Sequence, residues 1–364
     1  MDAASEDDAR FMRRALALAE HGWGRVHPNP LVGAVVVRDG AVVGEGAHRE
    51  FGGPHAEAEA LRQAGARALG STLHVTLEPC AHHGKTPPCA DAIVGAGIRR
   101  VVIAAEDPHP AARGGADRLR EAGIVVTVGV ERERARSQNA LFFGPIERGR
   151  PFVALKFGMT LDARIGREGR RIRVTGREAE AEVHRLRSGF DAILVGGRTA
   201  RVDDPRLTVR HAPAGRVPPI RVVADTTAEL PPSGALAASA RETPVWVLAG
   251  RAAPAARVAA LESAGVRVVG CDVDDDGHLD LRDAVRSLGE LGVRSILCEG
   301  GGRLGAALLR RGFVDRCLLF IAPTLLGARG VPAFPIPDGS LDPLRLAAVR
   351  PFGEDTLLML DRSA

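Results

Sequence analysis

Apolar positions in the first 130 residues alternate between the spacing of helices and the spacing of strands. Phe11 and Ala15 belong to a helical pattern over 8–21, and short β-branched runs flank Arg38-Asp39-Gly40, which is typical of a hairpin turn. Further extended and helical segments then follow in turn. The predicted strands span 32–37, 41–43, 72–77, 101–105 and 124–128, and the predicted helices span 8–21, 55–64, 90–96 and 116–122.

The second half of the chain repeats this alternation after a break in the pattern. Residues 132–138 are polar, and glycines and prolines fall within 144–151, so we expect one domain at 1–146 and another at 147–364. A chain of 364 residues is long enough for two cores of ordinary size. Strands that alternate with helices predict α/β layers around partly parallel sheets. The predicted strands span 152–157, 192–195, 220–224, 245–248, 295–298, 318–321 and 357–360, the predicted helices span 178–187, 255–264 and 304–310, and surface loops are expected at 213–219 and 272–277.

Charge and composition narrow the class of protein. The 49 basic residues are interspersed with 45 acidic ones, for a net charge of +4, which gives little support to a nucleic-acid partner. The acidic start lacks the basic and then apolar pattern of a secretory signal. No apolar run approaches the ~18 residues of a membrane span. We therefore expect a cytoplasmic protein with a small-molecule substrate and no membrane partner, for which a homo-oligomer is compatible with the sequence.

The five cysteines point to reduced thiols. An odd number of cysteines in a chain without an export signal argues against a disulfide framework. Cys298 and Cys317 lie in apolar stretches and are expected to be small buried hydrophobic residues.

The strongest chemical signal is His55-Ala56-Glu57 followed by Pro79-Cys80 and Cys89. One histidine, two cysteines and a glutamate that is not a ligand are the residue set of zinc deaminases. Three protein ligands leave zinc a fourth position for water, as in catalytic zinc sites, and soft thiolates with an imidazole favour this metal. We therefore expect His55, Cys80 and Cys89 to bind one Zn²⁺ ion. Glu57 would move a proton from the water to the substrate nitrogen and the leaving amine.

The spacing between the two cysteines departs from the common Pro-Cys-x-x-Cys signature. Residues 81–88, Ala-His-His-Gly-Lys-Thr-Pro-Pro, separate them. Lys85 is one of only two lysines in an arginine-rich chain, and a compact ammonium there suits a phosphate-bearing substrate. One alternative is a closed zinc site with His82 or His83 as a fourth ligand, although this leaves Glu57 without a role. A second alternative makes His82 a solvated loop residue.

The segments 27–33, 52–57 and 76–89, with the long cysteine spacer, resemble the deaminase half of the bifunctional deaminase–reductase of riboflavin biosynthesis. The resemblance implies a three-layer cytidine-deaminase-like domain that removes the 2-amino group of a diaminopyrimidinone carrying a phosphoribosylamino group. Asn29 is one of two asparagines, and its amide can read both donors and acceptors on a pyrimidine edge. By the resemblance, zinc is held by His55, Cys80 and Cys89, Glu57 is the proton donor, and the substrate is held by Asn29, His48, His82 and Lys85.

The segments 155–162, 192–199, 203–210 and 299–305 resemble the reductase half of the same family. The resemblance implies a dihydrofolate-reductase-like α/β domain that reduces the ribosyl group of the deaminated product to ribityl, with NADPH as hydride donor. Arg187 and Arg210 are implied phosphate ligands, although either one could instead be a solvated charge. The implied substrate residues are Arg187, Leu207, Arg210 and Glu299, and the implied cofactor residues are Gly158, Thr199, Asp203, Thr226, Gly301, Gly302, Arg303, Leu304 and Gly305.

The glycine cluster at 300–305 has a physical interpretation of its own. Glycines between a strand and a helix start expose backbone N–H groups to an anion. The Gly-x-Gly-x-x-Gly spacing alone is weak support, since no acidic residue follows about 20 positions later, and a tight turn explains it equally well.

Two departures concern the reductase half. Ala163 stands where the family usually has glycine, and Arg173 stands where it usually has a tryptophan at the cofactor. They motivate a second hypothesis, a deaminase whose C-terminal domain has drifted to a specialised or non-reducing role. A third hypothesis is a nucleic-acid-editing deaminase, which the near-neutral charge and the lack of interleaved aromatic residues oppose.

Overall fold

The computed structural model describes residues 5–81, 88–110, 112–168, 172–336 and 344–362. Two units separate along the chain, Met1–Glu147 and Arg148–Ala364, and each is built around its own large sheet. Within the described ranges, none of the helices combines the length and the apolar composition that a membrane span requires.

The first unit contains one mixed sheet and helices on both of its faces. The strand order is β2-β1-β3-β4-β5; β1 pairs antiparallel with β2 and β3, and β3, β4 and β5 are parallel. Its strands are β1 (Gly33–Arg38), β2 (Ala41–Ala47), β3 (Thr72–Leu77), β4 (Arg100–Ala105) and β5 (Val125–Val128). Its helices are α1 (Glu6–Ala19), α2 (Ala56–Ala64), α3 (Cys89–Gly95), α4 (Gly115–Glu121), α5 (Arg132–Gln138) and α6 (Ala140–Arg148).

Strand β1 shows how the three layers form. Ala34 and Val36 face the core beneath α2, α3 and α4, whereas Val35 and Val37 face the core beneath α1. Side chains alternate across a strand, so an uninterrupted apolar run is buried on both faces. The predicted three-layer α/β class is confirmed.

Helix α2 lies unusually close to β2 because the strand supplies glycines where the helix crosses. A Cβ atom on Gly46 would lie 2.1 Å from the carbonyl oxygen of Ala56, and one on Gly44 would lie 2.2 Å from that of Ala60. This contact fixes the N-terminus of α2, where His55 is the N-cap residue. The predicted hairpin is also confirmed, since Asp39 and Gly40 both adopt positive φ between β1 and β2.

The polar stretch 132–138, where the sequence indicated a break in the pattern of helices and strands, has regular secondary structure. It forms α5, and α6 follows after Asn139. Ala135 and Phe143 are buried against the core beneath α1, so a single apolar face anchors a mostly charged segment. Because so few positions in this stretch are apolar, the sequence pattern gave no sign of a helix.

The second unit is built on a nine-stranded sheet, counted over the described residues. The order is β11-β10-β9-β8-β12-β6-β13-β16-β15, parallel from β11 to β13 and antiparallel through β16 and β15. The strands of the unit are β6 (Phe152–Thr160), β7 (Arg164–Arg167), β8 (Ala192–Gly196), β9 (Ile220–Ala224), β10 (Val245–Gly250), β11 (Arg267–Cys271), β12 (Ser295–Cys298), β13 (Arg316–Ala322), β14 (Gly330–Pro332), β15 (Leu344–Phe352) and β16 (Asp355–Arg362). Strands β7 and β14 are not part of the large sheet and pair antiparallel with each other. Its helices are α7 (Arg177–Arg187), α8 (Gly197–Asp203), α9 (Ala235–Ala238), α10 (Ala255–Ser263), α11 (Leu281–Glu290) and α12 (Gly302–Arg310).

This sheet is also covered on both faces. In β8, Ala192 and Leu194 pack with α11 and α12, whereas Ile193 and Val195 pack with α8, α9 and α10. The sequence missed β7, β11, β14, β15, α8, α9 and α11. Helix α11 did carry a start signal, since the Asp280 side chain accepts a hydrogen bond from the Arg282 N–H group at 2.8 Å.

Candidate zinc centre and reductase site

Three elements of the first unit bring the predicted zinc ligands together. His55 caps α2, Cys80 follows the end of β3, and Cys89 is the first residue of α3. The His55 Nδ1 atom lies 3.2 Å from the Cys89 sulfur and 3.8 Å from the Cys80 sulfur. All three candidate ligand atoms lie within 4.8 Å of one another.

These distances fit a tetrahedral zinc site. With Zn–N and Zn–S bonds of about 2.0 and 2.3 Å, tetrahedral geometry places nitrogen and sulfur ligands about 3.6 Å apart. The hydrogen bond from Cys89, together with His55, lowers the pKa of the Cys80 thiol to about 4 despite burial. The pKa of Cys89 is raised, first by its hydrogen bond to Cys80 and then by burial. Zinc binds cysteines as thiolates, so metal binding would release a proton from this pair.

Glu57 lies in the first turn of α2 and is 3% exposed. Burial raises the pKa of its carboxyl group, which also forms a hydrogen bond with Cys89. A carboxyl group of raised pKa next to the metal ligands is suited to holding and releasing a proton during a reaction.

His48 and Asn29 form a hydrogen-bonded pair beside this cluster. His48 Nδ1 lies 2.9 Å from the Pro54 carbonyl oxygen, and since a carbonyl only accepts, this nitrogen carries the proton. His48 Nε2 therefore accepts from the Asn29 amide, 3.2 Å away. Burial lowers the pKa of His48, and its ring lies edge-on to His55 with centroids 5.6 Å apart. The predicted residues Asn29 and His48 thus adjoin the metal cluster, whereas His82 and Lys85 fall outside the described residues.

Sequence reasoning missed the residue that holds the Cys80 segment. Glu78 is buried, and its carboxylate accepts hydrogen bonds from the backbone N–H groups of Asp107, Gly114 and Ala116 at 3.1–3.2 Å. A carboxylate with three N–H donors fixes the chain immediately before Pro79-Cys80. The sequence did contain a sign of this role, because Glu78 directly follows an apolar strand, and a carboxylate buried there without hydrogen-bond partners would be costly.

In the second unit, the predicted cofactor residues gather at one edge of the sheet. Thr199 follows β8, Thr226 follows β9, and Gly301 follows β12, and these strands are adjacent and parallel. Ligands bind beyond the carboxyl ends of the strands in parallel α/β sheets. A Cβ atom on Gly301 would lie 3.0 Å from the Thr199 hydroxyl, which shows how closely two of these loops approach.

Glu299 lies at the centre of a buried charge cluster beside that edge. Its carboxylate accepts two hydrogen bonds from Arg187, at 2.5 and 3.0 Å, and lies 3.2 Å from the Lys156 ammonium. Burial raises the pKa of Glu299, but Lys156 and Arg187 outweigh it and lower the pKa to about 2. The alternative that Arg187 is a solvated charge is wrong, since its side chain is only 11% exposed. Two cations against one anion leave a net positive charge.

The loop after α8 is held by the C-terminal half of α7. Arg187 donates to the Thr208 carbonyl oxygen at 2.9 Å, and His184 Nδ1 accepts from the Arg210 N–H group at 3.0 Å. Burial, followed by the charges of Arg187 and Arg210, lowers the pKa of His184 to about 4, so the ring is neutral and can accept. Leu207 is buried at a φ of +50°, and the Arg210 side chain is exposed. Such backbone strain is frequent where a loop holds a ligand.

The three glycines of the Gly-x-Gly-x-x-Gly pattern are each explained by packing. A Cβ atom would lie 2.6 Å from the Val195 Cα at Gly300, 2.5 Å from the Pro332 carbonyl oxygen at Gly302, and 2.6 Å from the Phe157 ring at Gly305. The cluster therefore permits close packing of α12 on the sheet, whatever it binds. Of the remaining predicted cofactor residues, Gly158 lies in β6, Asp203 ends α8, and Arg303 and Leu304 lie in the first turn of α12.

The two departures have different structural consequences. Ala163 adopts a φ of +55°, the left-handed conformation that glycine adopts without strain. Arg173 is exposed and pairs with Glu180 at 3.0 Å.

Comparison with known families matches a different family to each of the two units. Residues 5–105 match the cytidine and deoxycytidylate deaminase zinc-binding region, and residues 151–358 match the RibD C-terminal domain. The chain is 43% identical over 324 residues to the riboflavin biosynthesis protein RibD of Aquifex aeolicus, covering 88% of each chain. It is 39% identical over 345 residues to RibD of Escherichia coli, covering 90% of this chain and 91% of that one.

Solved structures give the same result over the whole length. RibD of Acinetobacter baumannii superposes with a TM-score of 0.81 at 33% identity and 99% coverage of both chains. The diaminohydroxyphosphoribosylaminopyrimidine deaminase/5-amino-6-(5-phosphoribosylamino)uracil reductase of Thermotoga maritima superposes with a TM-score of 0.80 at 34% identity, over 98% of this chain and 99% of that one.

Proposed function

Because the chain belongs to the RibD family of bifunctional deaminase–reductases in riboflavin biosynthesis, we propose that it carries out both reactions named for the Thermotoga maritima relative. Residues 1–146 deaminate the diaminopyrimidine phosphoriboside, and residues 147–364 then reduce the ribosyl group of 5-amino-6-(5-phosphoribosylamino)uracil to ribityl with NADPH. The observation that carries the proposal is the His55–Cys80–Cys89 cluster beside the buried Glu57.

Zinc bound by His55, Cys80 and Cys89 would lower the pKa of a water molecule toward about 7. Glu57 takes a proton from the attacking water as its oxygen bonds to the ring carbon that carries the 2-amino group. Glu57 gives this proton to the adjacent ring nitrogen, then takes the second proton from the new C–OH group and gives it to the departing amine, so the C–N bond breaks, a C=O bond forms and ammonia leaves. Its raised pKa keeps the proton available between the two transfers.

The substrate is held by Asn29, His48, His82 and Lys85, with Lys85 near the ribose phosphate. The hydrogen bond from Asn29 to His48 uses one of its two amide hydrogens, which leaves the other hydrogen and the carbonyl oxygen for the pyrimidine edge. The neutral His48 ring closes the side of the pocket next to His55.

Reduction uses the positively charged cluster at the strand ends of the second unit. Lys156 and Arg187 exceed the charge of Glu299 by one, and Arg210 adds a further exposed cation, so a phosphate-bearing substrate is electrostatically favoured. Glu299 and Leu207 complete the substrate residues. Thr199, Asp203, Thr226 and the 301–305 segment, together with Gly158 in β6, would hold NADPH, which would supply the hydride.

The experiment supplies purified protein with the diaminopyrimidine phosphoriboside and measures ammonia, NADPH oxidation and the mass of the product, with and without NADPH. We expect ammonia in both cases and the ribityl product only with NADPH. Ammonia release without any NADPH oxidation would leave only the deaminase assignment, and the absence of ammonia from zinc-loaded protein would overturn that assignment.

We further propose that the enzyme acts in the cytoplasm on free metabolites, without a nucleic-acid partner. Its five cysteines are all free thiols, as a reducing compartment would keep them. Light scattering coupled to size exclusion would give its oligomeric state.

A further inference from the structure

We infer that Asn139 is a positioning residue for the deaminase pocket, an inference that rests on the proposed role of Asn29 in binding the pyrimidine. Asn139 lies between α5 and α6, beyond the 5–105 region that matches the deaminase family. It is 3% exposed and contacts the segment that carries Asn29.

The Asn139 side chain forms two hydrogen bonds with the backbone of a single residue. Its Oδ1 accepts from the Leu31 N–H group at 2.7 Å, and its Nδ2 donates to the Leu31 carbonyl oxygen at 2.8 Å. An amide of this length supplies one acceptor and one donor at the spacing of a backbone N–H and C=O pair. Aspartate lacks the donor, and leucine of similar size lacks both groups.

Asn139 is itself held firmly in place. Its N–H group donates to the Ala135 carbonyl oxygen at 3.1 Å, and its own carbonyl oxygen accepts from Phe142 and Phe143 at 2.8 and 3.0 Å. Phe143 is buried in the core beneath α1. The amide is therefore a rigid anchor rather than a mobile side chain.

Leu31 is close to both substrate-binding residues, to Asn29 along the chain and to His48 through a backbone hydrogen bond. Asn29 is two residues before it, and Val32 follows it and accepts at its carbonyl oxygen from the His48 N–H group at 2.9 Å. Asn29 and His48 are also joined by the 3.2 Å side-chain hydrogen bond. A shift of the Leu31 backbone would therefore move both substrate-binding side chains relative to the metal ligands, which belong to other elements.

The adjacent Gln138 provides a matched control. Its side-chain amide also makes two hydrogen bonds, to the Leu16 carbonyl oxygen at 2.9 Å and to the Glu20 carboxylate at 2.8 Å. These contacts tie the same end of α5 to α1 and include no hydrogen bond to Leu31. Gln138→Leu therefore reproduces the loss of a half-buried amide while the two hydrogen bonds to Leu31 remain.

The test compares full-length Asn139→Leu and Gln138→Leu with the wild type in steady-state ammonia release, with zinc content and NADPH-dependent reduction measured on the same samples. We expect Asn139→Leu to raise the KM for the pyrimidine about tenfold while kcat changes much less, because loose placement of Asn29 weakens substrate hydrogen bonds. Gln138→Leu should leave the KM unchanged. Zinc content should stay at one ion per chain in both variants.

Equal KM values in the two variants, or a loss of kcat and zinc in Asn139→Leu with no change in KM, would overturn the inference. If Asn139→Leu does not fold, Asn139→Asp keeps the acceptor for the Leu31 N–H group and removes the donor, and its KM should still exceed that of Gln138→Leu. Ammonia release from the wild type and from Glu57→Gln tests the proposed function separately. If the proposed function is wrong, the wild type itself releases no ammonia, whereas a wrong role for Asn139 leaves wild-type ammonia release intact.

Discussion

Replacing Glu299 with glutamine should destabilise the second unit in a pH-dependent manner. The Glu299 carboxylate lies between the Arg187 guanidinium and the Lys156 ammonium, and its side chain is 5% exposed. The Glu299→Gln variant keeps the shape of the side chain but removes the carboxylate that pairs with both of these largely buried cations. Breaking a buried pair in this manner is among the costly single substitutions.

The magnitude follows from the pKa of Glu299. Its ordinary value is 4.5 and its value in the structure is about 2, so the ionised form is stabilised by roughly 3 kcal/mol at neutral pH. Since the folded-state pKa is lowered, this stabilisation is present above pH 4.5 and is lost as the pH falls toward 2. At about pH 3.5 the unfolded carboxylate is mostly protonated and the native one is not, so about 1.4 kcal/mol is already lost.

The assay must report the second unit alone. The chain has two tryptophans, and Trp246 lies buried in the core of this unit, so a Trp23→Phe background makes fluorescence specific for it. Urea titrations at neutral pH should give a free energy of unfolding roughly 3 kcal/mol lower for Glu299→Gln, which is about 6–12 °C in melting temperature for a unit of this size. The difference in the free energy of unfolding between the two proteins should be smaller at about pH 3.5 than at neutral pH.

Glu290→Gln is the control substitution. Glu290 pairs with Arg286 at the end of α11, where both side chains are more than half exposed, and such pairs contribute about 1 kcal/mol or less. A difference below about 1 kcal/mol for Glu299→Gln, or one that stays constant with pH, would refute the charge-cluster argument.

Three further substitutions test other parts of the structure. Glu57→Gln should slow ammonia release about 10²–10⁴-fold while zinc content and NADPH oxidation on supplied deaminated product stay normal, and wild-type deamination would contradict the proton-transfer role. Gly115→Ala should lower the zinc content, since its Cβ atom would lie 1.8 Å from the Pro79 carbonyl oxygen next to Cys80, and full zinc occupancy would contradict this reasoning. Ala163→Gly should raise the stability of the second unit by about 0.5–1 kcal/mol in urea titration, because it relieves a left-handed alanine, and a loss of stability would contradict this account.

The α/β class and most central strands followed from the sequence because their signals are local. Runs such as 34–37 and 192–195 are buried on both faces, so they read as strands without any knowledge of their neighbours. Strand β15 was missed because it lies at the sheet edge and most of its residues are exposed, which removes the apolar pattern. Helix α5 was missed because one buried alanine anchors an otherwise charged segment.

The zinc ligands were predictable because metal chemistry restricts residue types. Few side chains bind zinc, and a histidine in a His-x-Glu motif with two cysteines that each follow a proline leaves little choice of other ligands. The supporting residues Glu78, Asn139 and His184 bind backbone groups instead. Any residue with a suitable donor or acceptor can do that, and only the folded chain shows which backbone group it meets.

The supporting residues Glu78 and Asn139 also control the geometry of the site. The ligands and Glu57 lie at three different element ends, where each chain segment leaves the sheet or enters a helix. Such ends have unpaired backbone groups and no regular hydrogen-bond ladder to fix them. Glu78 supplies an acceptor to three N–H groups, and Asn139 supplies both partners to Leu31, so each fixes a segment that secondary structure alone would leave loose. Tight placement of the reacting groups therefore depends on side chains that never contact the substrate.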